Sequence, residues 1–142
     1  MLDLGNGASV SLILVGLVSG TSDPASDSVD MAGFEGCLFV GVIGAQDAAA
    51  QAALEVQESD DDATWVPIAS HTAPVNSDNK IFVIDVHRPK RRYLRTLLTR
   101  SGTTNTTWGG TLAIRYNPRG TPIPAEASHA LAPLQLVSPA DA

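Results

Sequence analysis

The chain has 142 residues, 44% of them hydrophobic and 17% charged, with a net charge of −6 from 15 acidic and 9 basic side chains. That length fits one domain around one core, and the composition excludes solvated disordered polymers and collagen-like fibres. The acidic balance opposes general affinity for nucleic acid or anionic membranes, so neither is expected as a partner.

Read in chain order, Met1 to Gly7 carries no Lys or Arg ahead of the apolar stretch Leu12 to Val18, so the positive region of a secretory signal is missing. The stretch is also too short to span a bilayer. A protein made in a cytoplasm is expected. Strands are predicted at Ser9–Val18, Cys37–Ile43, Ala53–Ser59, Trp65–Ile68, Lys80–Val86, Tyr93–Arg100 and Gly110–Tyr116, each short, apolar or β-branched, and bounded by turn-forming residues. Seven or eight short strands imply an all-β fold, a single jelly-roll-like β-sandwich filling residues 1–116. Leu54 and Val56 alternate with Glu55 and Gln57, and Leu112, Ile114 and Tyr116 alternate with Thr111, Ala113 and Arg115, the pattern of strands with one wet face. Leu12-Ile13-Leu14-Val15, Leu38-Phe39-Val40 and Ile81-Phe82-Val83-Ile84 are apolar on both faces, which predicts that second faces are covered by an arm or another subunit.

Between the strands, Cys37 has no cysteine to pair with and reads as a small buried hydrophobe. Ala45 to Leu54 fits a short helical turn or a small-residue loop. Glu58-Ser59-Asp60-Asp61-Asp62-Ala63-Thr64-Trp65 joins two strands; it lacks the glycine and distant Glu of a calcium loop and reads as a hairpin turn with Asx hydrogen bonds, with Trp65 packing on the sheet. Gly109-Gly110 permits a bulge or a close strand approach. From Asn117 to Ala142 the composition shifts to five of the nine prolines, and this span, 117–142, reads as an extended arm. Its Ile123, Leu131, Leu134, Leu136 and Val137 suit docking into a groove on the same body or a neighbour.

Charge is divided sharply along the chain. Residues 1–79 hold 12 acidic and no Lys or Arg side chains, residues 80–119 hold all 9 basic ones against Asp85 alone, and Glu126 and Asp141 complete the total. Such blocks attract one another, either inside one fold or between copies. Within the basic block, Arg88-Pro89-Lys90-Arg91-Arg92-Tyr93 reads as a turn into a strand and marks a contact edge; Arg95 follows on the strand.

No chemistry stands out. His71, His87 and His129 are isolated, and there is no HExxH, GxSxG, Walker A or GxGxxG pattern. Asp85 and His87 share a strand face, which paired side chains at a sheet edge explain without an acid/base dyad. No catalytic, cofactor-binding or metal-ligating residue is assigned. Asn105-Thr106-Thr107 matches a glycosylation sequon but, with no secretory signal, reads as a polar turn.

Three segments in order, Val29-Asp30-Met31-Ala32-Gly33-Phe34-Glu35-Gly36, Leu54-Glu55-Val56-Gln57-Glu58-Ser59-Asp60-Asp61 before Trp65, and Arg91-Arg92-Tyr93-Leu94-Arg95, resemble small virion proteins encoded in the head-gene region of tailed bacteriophages. These are similar to capsid decoration, or cement, proteins. The resemblance spans roughly Asp30 to Arg119 and supplies no catalytic residues. It implies a β-sandwich, often trimeric, located on the virion, where it binds the major capsid protein outside the expanded head and stabilises the shell. On this reading Arg88, Lys90, Arg91, Arg92 and Arg95 meet an acidic partner surface, while Ile123, Leu131, Leu134 and Leu136 enter an intersubunit groove. A carbohydrate- or receptor-binding sandwich and a head–tail or tail component are the competing expectations.

Overall fold

The computed structural model describes residues 7–100 and 105–118. Nine strands run in chain order: β1 (Ala8–Leu14), β2 (Leu17–Gly20), β3 (Val29–Asp30), β4 (Phe34–Gln46), β5 (Ala53–Ser59), β6 (Val66–Thr72), β7 (Ile81–His87), β8 (Tyr93–Thr99) and β9 (Thr106–Pro118). They form two antiparallel sheets. One has the order β1-β9-β4-β7, with β2 also pairing β9, and the other has the order β3-β8-β5-β6. With β2 set aside and the other eight strands renumbered, these orders read 1-8-3-6 facing 2-7-4-5, the strand order of a jelly roll.

Alternation explains the two layers. Cys37, Phe39 and Ile43 on β4, Phe82 on β7 and Ala113 on β9 point inward from the first sheet, and Leu54, Val56, Leu94 and Leu98 point inward from the second; all are buried. Two buried clusters result. One gathers around Phe39, Val56 and Leu94, the other around Ile43, Leu98 and Trp108, and Ile84 packs against both. Gly41 lets the Trp108 ring lie flat on β4, because a Cβ there would sit 2.7 Å from Trp108 Cζ2.

Several local expectations hold and others change. Gly110 adopts φ 126° where the β4–β9 register shifts, and Val42 packs on Gly109, so this pair provides both a bulge and a close approach. Ala45–Leu54 is not helical: β4 continues to Gln46, and a turn with Ala49 at φ 63° leads into β5. The predicted single strand Ser9–Val18 divides at Val15–Gly16, where the register slips after Leu12. β3 was not predicted, since two residues carry no periodicity. β4 and β9 are each 13 residues long, well beyond the predicted cores, and β9 runs to Pro118. The remainder of the arm, including Ile123, Leu131, Leu134 and Leu136, lies outside the described residues.

Candidate functional site

At one end of the sandwich, the turn after β3 and the loop between β7 and β8 border an open cleft of about 550 Å3, lined by Met31, Phe34, Glu35 and the run Arg88 to Arg92. Arg88 opens that run in the left-handed region at φ 53°, a conformation that costs a non-glycine residue about 1 kcal/mol. Its N–H donates to the Glu35 carbonyl at 2.7 Å, and its guanidinium lies 3.8 Å from the Glu35 carboxylate. Arg92 grips Asp30 with two bonds, Nε to Oδ1 at 3.0 Å and Nη2 to Oδ2 at 2.8 Å. That bidentate bond holds the Asp30 carboxyl below its ordinary range. Arg91 lies 3.7 Å from Glu58 and 3.4 Å from Asp60. Arg95 donates to Gln57 at 2.8 Å and stacks over the Trp65 ring at 4.4 Å. Lys90 is exposed at the rim.

The two charge blocks therefore meet inside one fold. All four arginines between positions 88 and 95 contact acidic or amide groups from the first 79 residues. The strand order causes this, because β8 lies between β3 and β5 and so brings the 30s, the late 50s and the 90s together. These are also the three segments that carry the phage resemblance. The acidic loop between β5 and β6 is closed on itself: Asp61 accepts from the backbone N–H groups of Thr64 (2.8 Å) and Ala63 (3.0 Å) and from the Ser59 hydroxyl (2.9 Å). Those bonds pull the Asp61 carboxyl down to about 2. This is the expected Asx turn.

The outer faces of the two sheets differ. The β3-β8-β5-β6 sheet presents Tyr93, Arg95, Glu55, Gln57 and Ser70 outward, a mainly polar face that also carries Leu97 and on which Gln57 is buried. The other sheet presents aliphatic rows that run across its strands: Val10, Ile114 and Leu38 in one, Leu12, Leu112, Val40 and Val83 in the next, and Val42 with Ile81 in the last. Five of these nine side chains keep more than a third of their surface in solvent, up to 59% at Ile81 and 50% at Val83. The sequence marked those segments as apolar on both faces, and the structure places their second faces side by side.

The row at the cleft end is polar. Tyr116 lies over Gly36, which has no side chain to obstruct it, and donates to Asp85 Oδ1 on β7 at 2.5 Å. Desolvation and that bond raise the phenol to about 12. His87 stacks on the same ring at 6.4 Å. Asp85 and His87 share a face as expected, with Tyr116 as the aromatic partner between them.

Two further arginines were not singled out from the sequence. Arg100, 3% exposed, donates to the carbonyls of Val18 (2.9 Å), Ser22 (3.0 Å) and Thr106 (2.7 Å) and to the Ser22 hydroxyl (2.6 Å), tying the segment after β2 to β9. Arg115 donates to the Asp30 carbonyl at 2.8 Å and the Ser9 hydroxyl at 3.0 Å and stacks on Phe34. Nothing local in the sequence separates these cations from their exposed neighbours. Among the described residues there is no group of three or more potential metal ligands, and no helix is long and apolar enough to cross a membrane.

No protein-family model matches the chain, and no curated protein matches it in sequence. Solved structures do. The chain is similar to the PBSX exported protein XepA, at TM-score 0.56 and 15% identity over 97% of this chain and 45% of that one. It thus spans less than half the length of that structure. A Bacillus endospore appendage protein, described as forming disulfide-linked pili, aligns at TM-score 0.48 and 10% identity over 79% of this chain and 89% of that one. PirA aligns at TM-score 0.38 and 12% identity over 82% and 96%. At these identities the XepA likeness concerns the fold.

Proposed function

We propose that this chain is a non-enzymatic structural subunit of a phage-type particle: a capsid decoration protein that attaches, as a homotrimer, to major capsid protein on the outside of the expanded head and stabilises the shell. The observation that carries this reading is the aliphatic outer face of the β1-β9-β4-β7 sheet, set against a polar outer face on the other sheet. A contiguous apolar sheet face is a surface for protein contact and offers no means of catalysis. The self-neutralised loop end gives a rigid, patterned surface beside it, formed by the three segments that resemble head-region virion proteins. The PBSX likeness supports the sandwich itself.

The carbohydrate-binding alternative is less well supported, because Trp108 is 1% exposed in the core and the Trp65 ring is covered by Arg95. To test the proposal, purified protein is mixed with expanded, DNA-free heads assembled from the genome that encodes it, with its own gene deleted. Co-sedimentation in fixed stoichiometry, particle density at capsomer junctions and a raised head-disruption temperature are expected. Binding confined to tails, or no binding to any particle, overturns the capsid role.

A further inference from the structure

We infer that the aliphatic outer face of the β1-β9-β4-β7 sheet is the self-association surface of this protein and that its occupant is a second copy of the chain. The inference rests on the assembly reading above and deepens it, assigning this face to the contact between copies within the homotrimer and leaving the other surfaces for the capsid; its test needs no capsid.

The two sheets provide an internal comparison. They share one chain, yet the second sheet faces outward mainly with polar residues, Leu97 apart and with Val66 and Ile68 exposed on its edge strand, whereas the first places aliphatic side chains at nine adjacent outward positions. None of the nine is charged. Asp85 is the one carboxylate within those rows, and its Oδ1 accepts the Tyr116 phenol at the polar end. Native sheets that face water carry charged or polar residues outward, and even exposed edge strands are usually blunted by a charge. Here edge strand β1 carries Val10 at 45% exposure with no charge, and edge strand β7 carries Val83 at 50% beside a single carboxylate, Asp85.

Area and composition select the occupant. Four strands about 4.8 Å apart and three to four outward rows make a face of about 450 Å2 in projection, hence about 900 Å2 for two copies before any rim is counted. With the rim, that reaches the ~1,200 Å2 lower bound of specific interfaces. A partner met reversibly tends to see a surface as polar as the rest of the protein, whereas the centre of a homo-oligomer interface is more apolar and depleted in charge. An aliphatic face of this size, with one carboxylate at its polar end, fits the second description. The loop end fits the first, being rich in charge, with Arg88, Arg91 and Arg92 set against Asp30, Glu35, Glu58 and Asp60 and Lys90 exposed.

The test is the absolute mass of the full-length protein by light scattering behind a sizing column, from ~1 to ~100 μM. Wild type is expected at three times 14.8 kDa, the mass of the proposed homotrimer. The double variant Val10→Lys/Val83→Lys puts charges at two half-exposed positions that fold unchanged in a monomer, and it is expected at one chain mass, with association weakened at least ~100-fold by two buried, uncompensated charges. Native protection of Cys37 from a thiol reagent reports that the variant is folded. If that protection is lost, Val83→Thr, close in shape and far milder, is used, with an expected ~5- to 10-fold weakening. Wild type monomeric at ~100 μM, or a folded double variant that keeps the wild-type mass, overturns the inference. A monomer that still decorates heads leaves head attachment standing and refutes the second copy as occupant, and the homotrimer with it.

Discussion

The chain carries both buried and exposed arginines, and the structure predicts that they differ in energy by a factor of three or more. Replacing Arg100 with Met removes four hydrogen bonds at 2.6–3.0 Å while roughly keeping the side-chain length. Charge-assisted bonds are worth ~1.5–3 kcal/mol each, but the losses do not simply add. Val18 and Ser22 are exposed, so water takes over their oxygens; Thr106 is buried, and its carbonyl is left without that donor. The expected cost is therefore ~3 kcal/mol, which for a domain of this size lowers Tm by roughly 9 °C. Arg92→Met also deletes a bidentate guanidinium, but that side chain is 57% exposed and its Asp30 partner 39%, so the expected cost is below ~1 kcal/mol. Both variants are melted by circular dichroism at the same protein concentration, so that the proposed self-association weighs equally on the two Tm values. Equal shifts for the two, or less than ~1 kcal/mol at Arg100, refute the assignment of Arg100 as the pin between the β2 segment and β9.

Three further outcomes are expected. Asp61 titrates at about 2, against 3.8 for an ordinary aspartate, so its contribution is complete above about pH 4 and is lost as pH falls through 2; a carboxylate-resolved NMR titration shows this, and Asp61→Asn abolishes the acid-dependent loosening of the 59–64 loop. Gly41→Ala places a Cβ 2.7 and 2.8 Å from Trp108 and 3.2 Å from Leu54, an overpacking of ~2 kcal/mol in urea melts with a change in tryptophan emission; unchanged emission and stability refute the contact. Cys37 is fully buried, and burial pushes its thiol up to about 12, so at pH 8 it is expected to react with an aromatic disulfide only at the rate of unfolding; fast labelling of native protein contradicts this.

Sequence reasoning reached those features set by local pattern. The all-β sandwich, the in-and-out alternation of Leu54 and Val56 with Glu55 and Gln57, the Asx-closed acidic loop, the glycine bulge before Thr111 and the buried Cys37 all follow from alternation or from turn chemistry within a few residues, although the outer face of β5 is covered rather than wet, with Gln57 buried. So do the double-faced apolar runs, whose surplus side chains now line one sheet. What stayed hidden depends on register between distant strands. Asp30 meets Arg92 across 62 positions and Tyr116 reaches Asp85 across 31, and no spacing rule connects them. Arg100 and Arg92 look alike in sequence, and only the fold buries one of them. Likewise the basic run was legible as a cluster, while its pairing with acids became visible only once β8 was seen to lie between β3 and β5.

That pairing bears on how the protein can recognise anything. A chain with a −12 block and a +8 block could steer a partner over a Debye length, but blocks that meet at 2.8–3.8 Å largely cancel beyond it. On the proposed reading, recognition then rests on short-range shape and apolar contact, in which the outer sheet face is rich. The two modes respond oppositely to salt. Charge-steered association weakens as sodium chloride rises, whereas burial of aliphatic rows is insensitive to it and is strengthened by sulfate, which is excluded from protein surface. Measured by light scattering, self-association is therefore expected to hold from ~50 to ~500 mM sodium chloride and to tighten in sulfate. A tenfold loss over that range would mean that the basic loops, and not the aliphatic face, hold the copies together.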